Sequence, residues 1–374
     1  MTFKQLLKWL IGWRLLLLLF AAIGMGLLPF GDRFPYREPL LVSYGHPLFY
    51  SWAGFDGVHY LGIATSGYSA AFTQAFFPLY PLIIRWWNFA VHNYLLTGLF
   101  ISHLSLLIAL YYLYQLVRLD NSASVSQKTL LLLLLFPTSF FFGSLYTESL
   151  FLMFVVTSFY FMRTHHPIKA ILMATLASAT RIIGVFLIPA LILERYDSIS
   201  KKSDRTKPWG YLPYLFPAAG LLSYMYYLGT KFADPLYFLN AQPAFGADRS
   251  TDKIILLYQV IYRYLRMVSS VKPATMIFYT VSQEFIVSML FLGLSLWAFK
   301  KLRKSYATYA FLAFITPTLT GTFSSMPRYV LVLFPCFILL ARIKSPLLTK
   351  VWLTISLILL CINTILFTRG YWVA

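Results

Sequence analysis

The chain has 374 residues, of which 59% are hydrophobic, 19% aromatic and only 11% charged. A soluble domain carries about 25% charged residues, so the composition excludes a soluble globular protein and points to one that lives in a bilayer. The net charge of +19 does not call for nucleic acid as a partner. Lys and Arg sit in short runs between apolar segments, the pattern of positive-inside topology and of contact with anionic membrane lipids.

In chain order, Lys4 and Lys8 precede the apolar run Leu15–Phe30 in the manner of a signal peptide. A small-residue cleavage site is missing, so an uncleaved first span is expected. Apolar runs predict spans near residues 9–30, 95–117, 129–145, 148–163, 168–180, 181–194, 210–230, 275–299, 306–321, 329–342 and 351–368. They lack the period-2 alternation of barrel strands, so helices are expected. The fold class is therefore all-α: a polytopic integral membrane protein of about eleven transmembrane helices (ten to twelve). Residues 168–194 are read as two short helices broken near Thr180-Arg181. A single span there would put the basic stretches Arg195–Lys207 and Lys300–Lys304 on the outside, against the positive-inside rule. This arrangement has the N-terminus inside, in a bacterial plasma membrane or an ER-type membrane.

Two long segments then face outward, residues 31–93 and 231–273. The first is rich in Tyr, Phe, Trp and Pro; the second contains Ile254–Met267, which buries one side while Arg263 and Arg266 stay wet. Both read as interfacial helices. With no internal repeat and no separate soluble domain, the chain reads as one transmembrane domain over 1–374, its active-site face built from the two outer segments. Cys336 and Cys361 both fall in spans, so neither a disulfide framework nor a zinc site is implied.

The polar residues least expected in such a chain gather at the outer level. They are Asp56 and His59 in the first segment, Glu148 in Leu145–Ser149, Arg181 at the break, Asp234, Gln242, Asp248 and Arg249 in the second segment, and Arg328 in Ser324–Arg328. Ionisable groups near apolar spans are costly and usually face a cavity or a partner. Asp56 is an ordinary loop carboxylate, the N-cap of a helix starting at Gly57, or a general base for an acceptor hydroxyl in a partly dehydrated cleft. His59, three residues on, shares its helix face and either orients Asp56, touches substrate, or is an interfacial histidine. Arg181 and Arg328 are candidate phosphate clamps, against the alternative of snorkelling anchors. Glu148 reads best as one half of a structural ion pair.

Trp52–Tyr60, Ile63–Tyr68, Phe76–Pro81, Pro137 with Tyr146–Phe151, Thr180–Gly184, Asp234–Gln242, Pro327–Pro335 and Gly370–Val373 together resemble the GPI mannosyltransferase II family and its bacterial relatives. These belong to glycosyltransferase family 76, among the C-type integral-membrane glycosyltransferases. The resemblance runs in order through most of the chain. It implies an inverting transferase that takes mannose from a polyprenyl-phosphate carrier at the non-cytoplasmic face and gives it to a glycan or glycolipid acceptor. It also implies that Asp56 is the base, with His59, Glu148, Arg181, Asp234, Gln242 and Arg328 as substrate-binding candidates, and it implies no cofactor. The conspicuous carboxylates form no ligand-spaced motif, so no metal is expected. One departure stands out: the family often has Arg-Trp-Asp where this chain has Gly54-Phe55-Asp56. The competing readings are a transporter or flippase for lipid-linked glycans, which would favour repeats and polar groups at the bilayer midplane, and a noncatalytic membrane subunit. The acceptor, the linkage and any protein partner are not encoded in a motif.

Overall fold

The structure is a computed structural model and describes residues 1–31, 36–200 and 208–373. Among the described residues there is no β-strand, and the helices of eleven residues or more number thirteen. In chain order they are α1 (Phe3–Leu27), α2 (Asp56–Ser66), α3 (Leu79–Val91), α4 (Tyr94–Arg118), α5 (Ala123–Leu134), α6 (Glu148–Arg163) and α7 (Pro167–Thr180). Then follow α8 (Leu187–Ser200), α9 (Ala218–Phe232), α10 (Leu257–Ser270), α11 (Met276–Lys301), α12 (Lys304–Thr318) and α13 (Pro346–Thr368).

Four of them, α1, α4, α11 and α13, are long and apolar enough to cross a bilayer; 23 to 26 residues at ~1.5 Å each exceed a hydrocarbon core of ~30 Å. The chain is a multi-pass membrane protein. Side-chain caps start these helices where the sequence turns apolar. Thr2 Oγ1 accepts from Gln5 N before α1, Asn93 Oδ1 from Leu96 N before α4, Thr275 Oγ1 from Phe278 N before α11, and Ser345 Oγ from Leu348 N before α13.

Several expected spans are not continuous α-helices. The run 210–230 is the 3-10 segment Pro208–Leu215, with Pro213 inside it, followed by α9 from Ala218. The run 129–145 is helical only to Leu134, with Pro137 and the 3-10 turn Ser139–Gly143 behind it, because a proline disfavours helix in the residue before it. Side chains satisfy the freed carbonyls. Trp13 Nε1 and Ser139 Oγ donate to Leu134 O at 2.7 and 2.5 Å, Asn363 Nδ2 to Pro137 O at 3.0 Å, and Arg14 Nη1 to Gly143 O at 3.1 Å. Irregular backbone at membrane depth survives only when protein groups take over in this way. The run 329–342 is likewise divided into Met326–Tyr329, a 3-10 turn Val330–Val332, and Phe334–Ala341. Pro335 sits in the first turn of the last of these, the helical position that tolerates proline.

The break at Thr180-Arg181 is as expected. α7 ends at Thr180, Arg181 is extended (φ −154°, ψ 145°), and a 3-10 turn Ile182–Phe186 leads into α8. Gly184 folds back against the backbone of Ala177 and Ser178, where a Cβ would collide. The basic stretch expected over 195–207 lies outside the described residues beyond Ser200.

The chain forms two compact units. The first comprises Met1–Thr73, Pro78–Met153 and Leu340–Ala374; the second comprises Gln74–Phe77 and Phe154–Leu339. In the first, α1 packs on α13 and α4, and α4 on α3, α5 and α2. Gly24 of α1 leaves room for Ile365 of α13, the small-residue contact that lets membrane helices approach. In the second, α7 packs on α9, α8 on α12, and α11 on α10 and α12.

Candidate active site

Within the first unit, the turn before α2 is held from several sides. Trp52 and Ala53 are fully buried. Leu145 N donates to Trp52 O at 2.9 Å and Tyr146 Oη to Gly54 O at 2.9 Å. Arg14, inside α1, sets its guanidinium 4.1 Å from the Trp52 ring centroid while bonding Gly143 O. The turn thus rests on the irregular segment after Pro137.

Phe55 is the conformational centre of this turn. Its φ of 56° and ψ of −117° lie outside the regions open to a bulky residue, so the backbone is strained there, by about 1–3 kcal/mol. Among the rings that hold it are Phe367 at 5.7 Å and Trp372 at 5.2 Å between centroids. α2 then begins at Asp56 itself. The aspartate is therefore the first helical residue and not the cap before Gly57, and the helix dipole favours an anion in that first turn.

His59 stands one turn further on, edge-on to Tyr36 at 5.8 Å. Burial pushes its imidazole below the ordinary histidine range, and the Asp56 charge opposes this without overcoming it. The surroundings thus favour the neutral ring, which feels the aspartate. Glu148 opens α6 and is 1% exposed, beside a group of tyrosines. Tyr60 lies 5.4 Å from Tyr80 and 6.5 Å from Tyr146, and Tyr80 Oη bonds Ser102 Oγ at 2.8 Å. Burial raises the Tyr80 hydroxyl, and Tyr60 and Glu148 add smaller pushes the same way.

In the second unit, the structure brings Arg181 and Arg328 together. Each guanidinium carbon lies 5.1 Å from the ring centroid of Tyr329, and Arg328 is 6% exposed. Asp234 and Gln242 serve a local turn. Asp234 Oδ1 accepts from Leu236 N and Oδ2 from Asn240 Nδ2, while Gln242 Nε2 donates to Phe238 O. Asp248 pairs with Arg263 at 2.8 Å, and Arg249 Nη1 donates to Phe245 O at 3.4 Å.

Sequence reasoning missed Glu284. It is 4% exposed in α11, accepts a 2.6 Å bond from Tyr264 Oη and a 3.4 Å bond from Ser325 N. Tyr264 Oη is also 3.1 Å from Thr322 Oγ1. Burial first, and then Glu284, hold the Tyr264 hydroxyl far above its usual range, so it stays the donor. The signal was a carboxylate inside a predicted span; Arg14 carried the same signal in α1. Among the described residues no three His, Cys, Asp or Glu side chains gather as a metal-ligating group.

Apolar helices carrying polar clusters at their irregular junctions define a membrane glycosyltransferase once the family match is added. The family described as Mannosyltransferase (PIG-V) matches residues 4–199, more than half of the chain. The chain belongs to that family and is an enzyme that transfers mannose. The match takes in Asp56, His59, Glu148 and Arg181; Asp234, Gln242 and Arg328 lie beyond it. A comparison with curated proteins finds no match.

Proposed function

We propose that the chain moves a mannosyl residue from a polyprenyl-phosphate carrier to an acceptor hydroxyl on a glycan or glycolipid, with inversion, at the non-cytoplasmic face. The observation that carries this reading is the placement of Asp56 on the first turn of α2, directly after the strained Phe55. Asp56 takes the proton of the acceptor hydroxyl, whose oxygen attacks the anomeric carbon. The bond from that carbon to the phosphate oxygen breaks, and its electron pair leaves with the polyprenyl phosphate. Arg181 and Arg328 stabilise the charge that develops there. A phosphate leaves without a general acid, so one carboxylate suffices, and neither a cofactor nor a metal is required by this scheme. His59 orients the carboxylate; Glu148, Asp234 and Gln242 are proposed to contact substrate.

The reading includes a single C-type domain of eleven spans, N-terminus inside, with 31–93 and 231–273 on the active-site face. The test of the donor is transfer from radiolabelled polyprenyl-phosphate mannose to a membrane glycolipid extract, run beside GDP-mannose. Label should pass from the lipid-linked donor; passage from the nucleotide sugar alone overturns the reading. For topology, Cys336 and Cys361 are replaced by Ser and single cysteines introduced as Asn240→Cys and Lys304→Cys. An impermeant maleimide applied outside should label the first and spare the second; the opposite result overturns the orientation.

Phe55 supplies a further test. Trp372→Ala removes one of its aromatic supports, so the Asp56 turn relaxes. Misplacement of a catalytic group by about 1 Å costs about 10²-fold, so kcat should fall about 10- to 100-fold with donor KM little changed. An unchanged kcat would mean that the ring plays no part in aiming Asp56.

A further inference from the structure

Two more arginines of the first unit converge on one ring. Arg37 opens the five-residue turn Arg37–Leu41, and its guanidinium carbon lies 4.4 Å from the Phe30 centroid. Arg369 follows α13, and its guanidinium carbon lies 5.4 Å from the same centroid. Each is positioned through Nε: Arg37 donates to Tyr50 Oη at 3.1 Å, and Arg369 to Leu28 O at 2.9 Å. The backbone is fixed as well. Gly31 N donates to Arg369 O at 2.7 Å, and Gly370, at φ 80°, lies against the Phe30 ring with no room for a Cβ.

The forks themselves are mostly unclaimed. Arg37 Nη1 meets Glu38 at 3.2 Å, a carboxylate 72% exposed, and an exposed pair of that kind contributes little. Among the described residues, Arg37 Nη2 and both Nη groups of Arg369 meet no protein acceptor. Bringing two like charges together is unfavourable without an anion to share. Burial first, and the Arg37 charge second, hold Arg369 below the usual arginine range, with Tyr50 and Tyr371 opposing. Tyr50, bonded to Arg37, is thus also within electrostatic reach of Arg369.

The pair also adjoins the proposed base along the chain. Tyr36, just before Arg37, touches His59, and Trp372, three residues after Arg369, touches Phe55. We infer that Arg37 and Arg369 form a binding site for the phosphate group of a phosphorylated lipid. Guanidinium forks match phosphate oxygens bidentately and stay charged in apolar surroundings. The phosphate comes either from the polyprenyl-phosphate carrier, a source that rests on the donor proposed above, or from a phospholipid of the bilayer.

The experiment measures lipid binding by the full chain carrying Asp56→Asn, so that no turnover intervenes. Undecaprenyl phosphate and phosphatidylglycerol are titrated separately into detergent-solubilised protein and followed by native mass spectrometry. Arg37→Gln and Arg369→Gln should each weaken undecaprenyl phosphate binding about tenfold or more, and Arg369→Lys should recover part of it. In the transfer assay, with Asp56 restored, donor KM should rise by a similar factor while kcat changes little. If only phosphatidylglycerol binding falls, the lipid-phosphate site stands with the bilayer as its source. Arg37→Gln decides the matter if Arg369→Gln does not fold, since Arg37 bonds no membrane-spanning helix. Wild-type binding of both lipids by the Gln variants overturns the inference, as does a loss confined to Arg181→Ala and Arg328→Ala. Should wild type transfer no mannose from the lipid-linked donor, the donor reading fails, while the binding comparison still decides this site.

Discussion

Asp56→Asn should lower kcat by about 10³-fold, within the range of 10²–10⁴ that a positioned general base contributes, and leave donor KM nearly unchanged. The substitution keeps the size and shape of the side chain and removes only its ability to take a proton. The protein should stay folded, because the turn is held by groups that do not involve the carboxylate: Leu145 N on Trp52 O, Tyr146 Oη on Gly54 O, and the rings of Phe367 and Trp372 on Phe55. Single-turnover transfer with radiolabelled polyprenyl-phosphate mannose separates chemistry from product release. A rate within threefold of wild type would remove Asp56 from the role of base, and a lost rate with lost donor binding would make it a binding residue instead.

Arg303→Ala should be among the most destabilising single changes in the second unit. Glu194 is 1% exposed and is gripped by both arms of Arg303, Nε to Oε1 at 2.6 Å and Nη2 to Oε2 at 2.7 Å. Ser305 Oγ adds a 2.9 Å bond, and Asp197 lies 3.6 Å from the same guanidinium. Truncating the arginine strands a buried carboxylate, a loss of about 3–5 kcal/mol. The midpoint of thermal unfolding in nanodiscs should drop accordingly. The double variant Arg303→Met with Glu194→Leu should recover most of the loss, because apolar residues of similar volume remove the unpaired charge. A single variant as stable as wild type would mean that Glu194 finds water or another partner when the arginine is gone.

Much of the helical scaffold was legible because a bilayer leaves few options: long apolar runs bounded by Thr2, Asn93, Thr275 and Ser345 become capped helices. The break at Arg181 was legible from the charge pattern, since an unbroken span would put the basic stretches 195–207 and 300–304 on the outside. The runs 129–145 and 329–342 misled because hydropathy is blind to whether carbonyls freed by a proline find side-chain donors. In the first run the donors come from Trp13, Arg14 and Asn363, far along the chain. Phe55 was hidden for a related reason. In Gly54-Phe55-Asp56-Gly57 a glycine is the expected left-handed residue, yet Gly54 sits at φ −62° and Phe55 takes the positive angle. Rings at 367 and 372 override local preference there. Asp56 is legible as a rare carboxylate and Arg181 and Arg328 as charges beside apolar runs, whereas the ring they share, Tyr329, is marked by no motif. Glu284, in the interior of a predicted span, was passed over.

The bracing of the Phe55 turn by distant segments has a consequence for biogenesis. Its supports are synthesised about 90 and about 310 residues after it, in Tyr146 and in Phe367 with Trp372. At about 5–20 residues per second, roughly 15–60 s separate the insertion of the aspartate from the arrival of the last ring that holds its neighbour. During that interval the turn has no reason to keep a left-handed phenylalanine. A nascent chain ending before residue 367 would carry the family's matched region, 4–199, without two of the rings that hold Phe55, so on the proposed role of Asp56 its aim is set only late in synthesis.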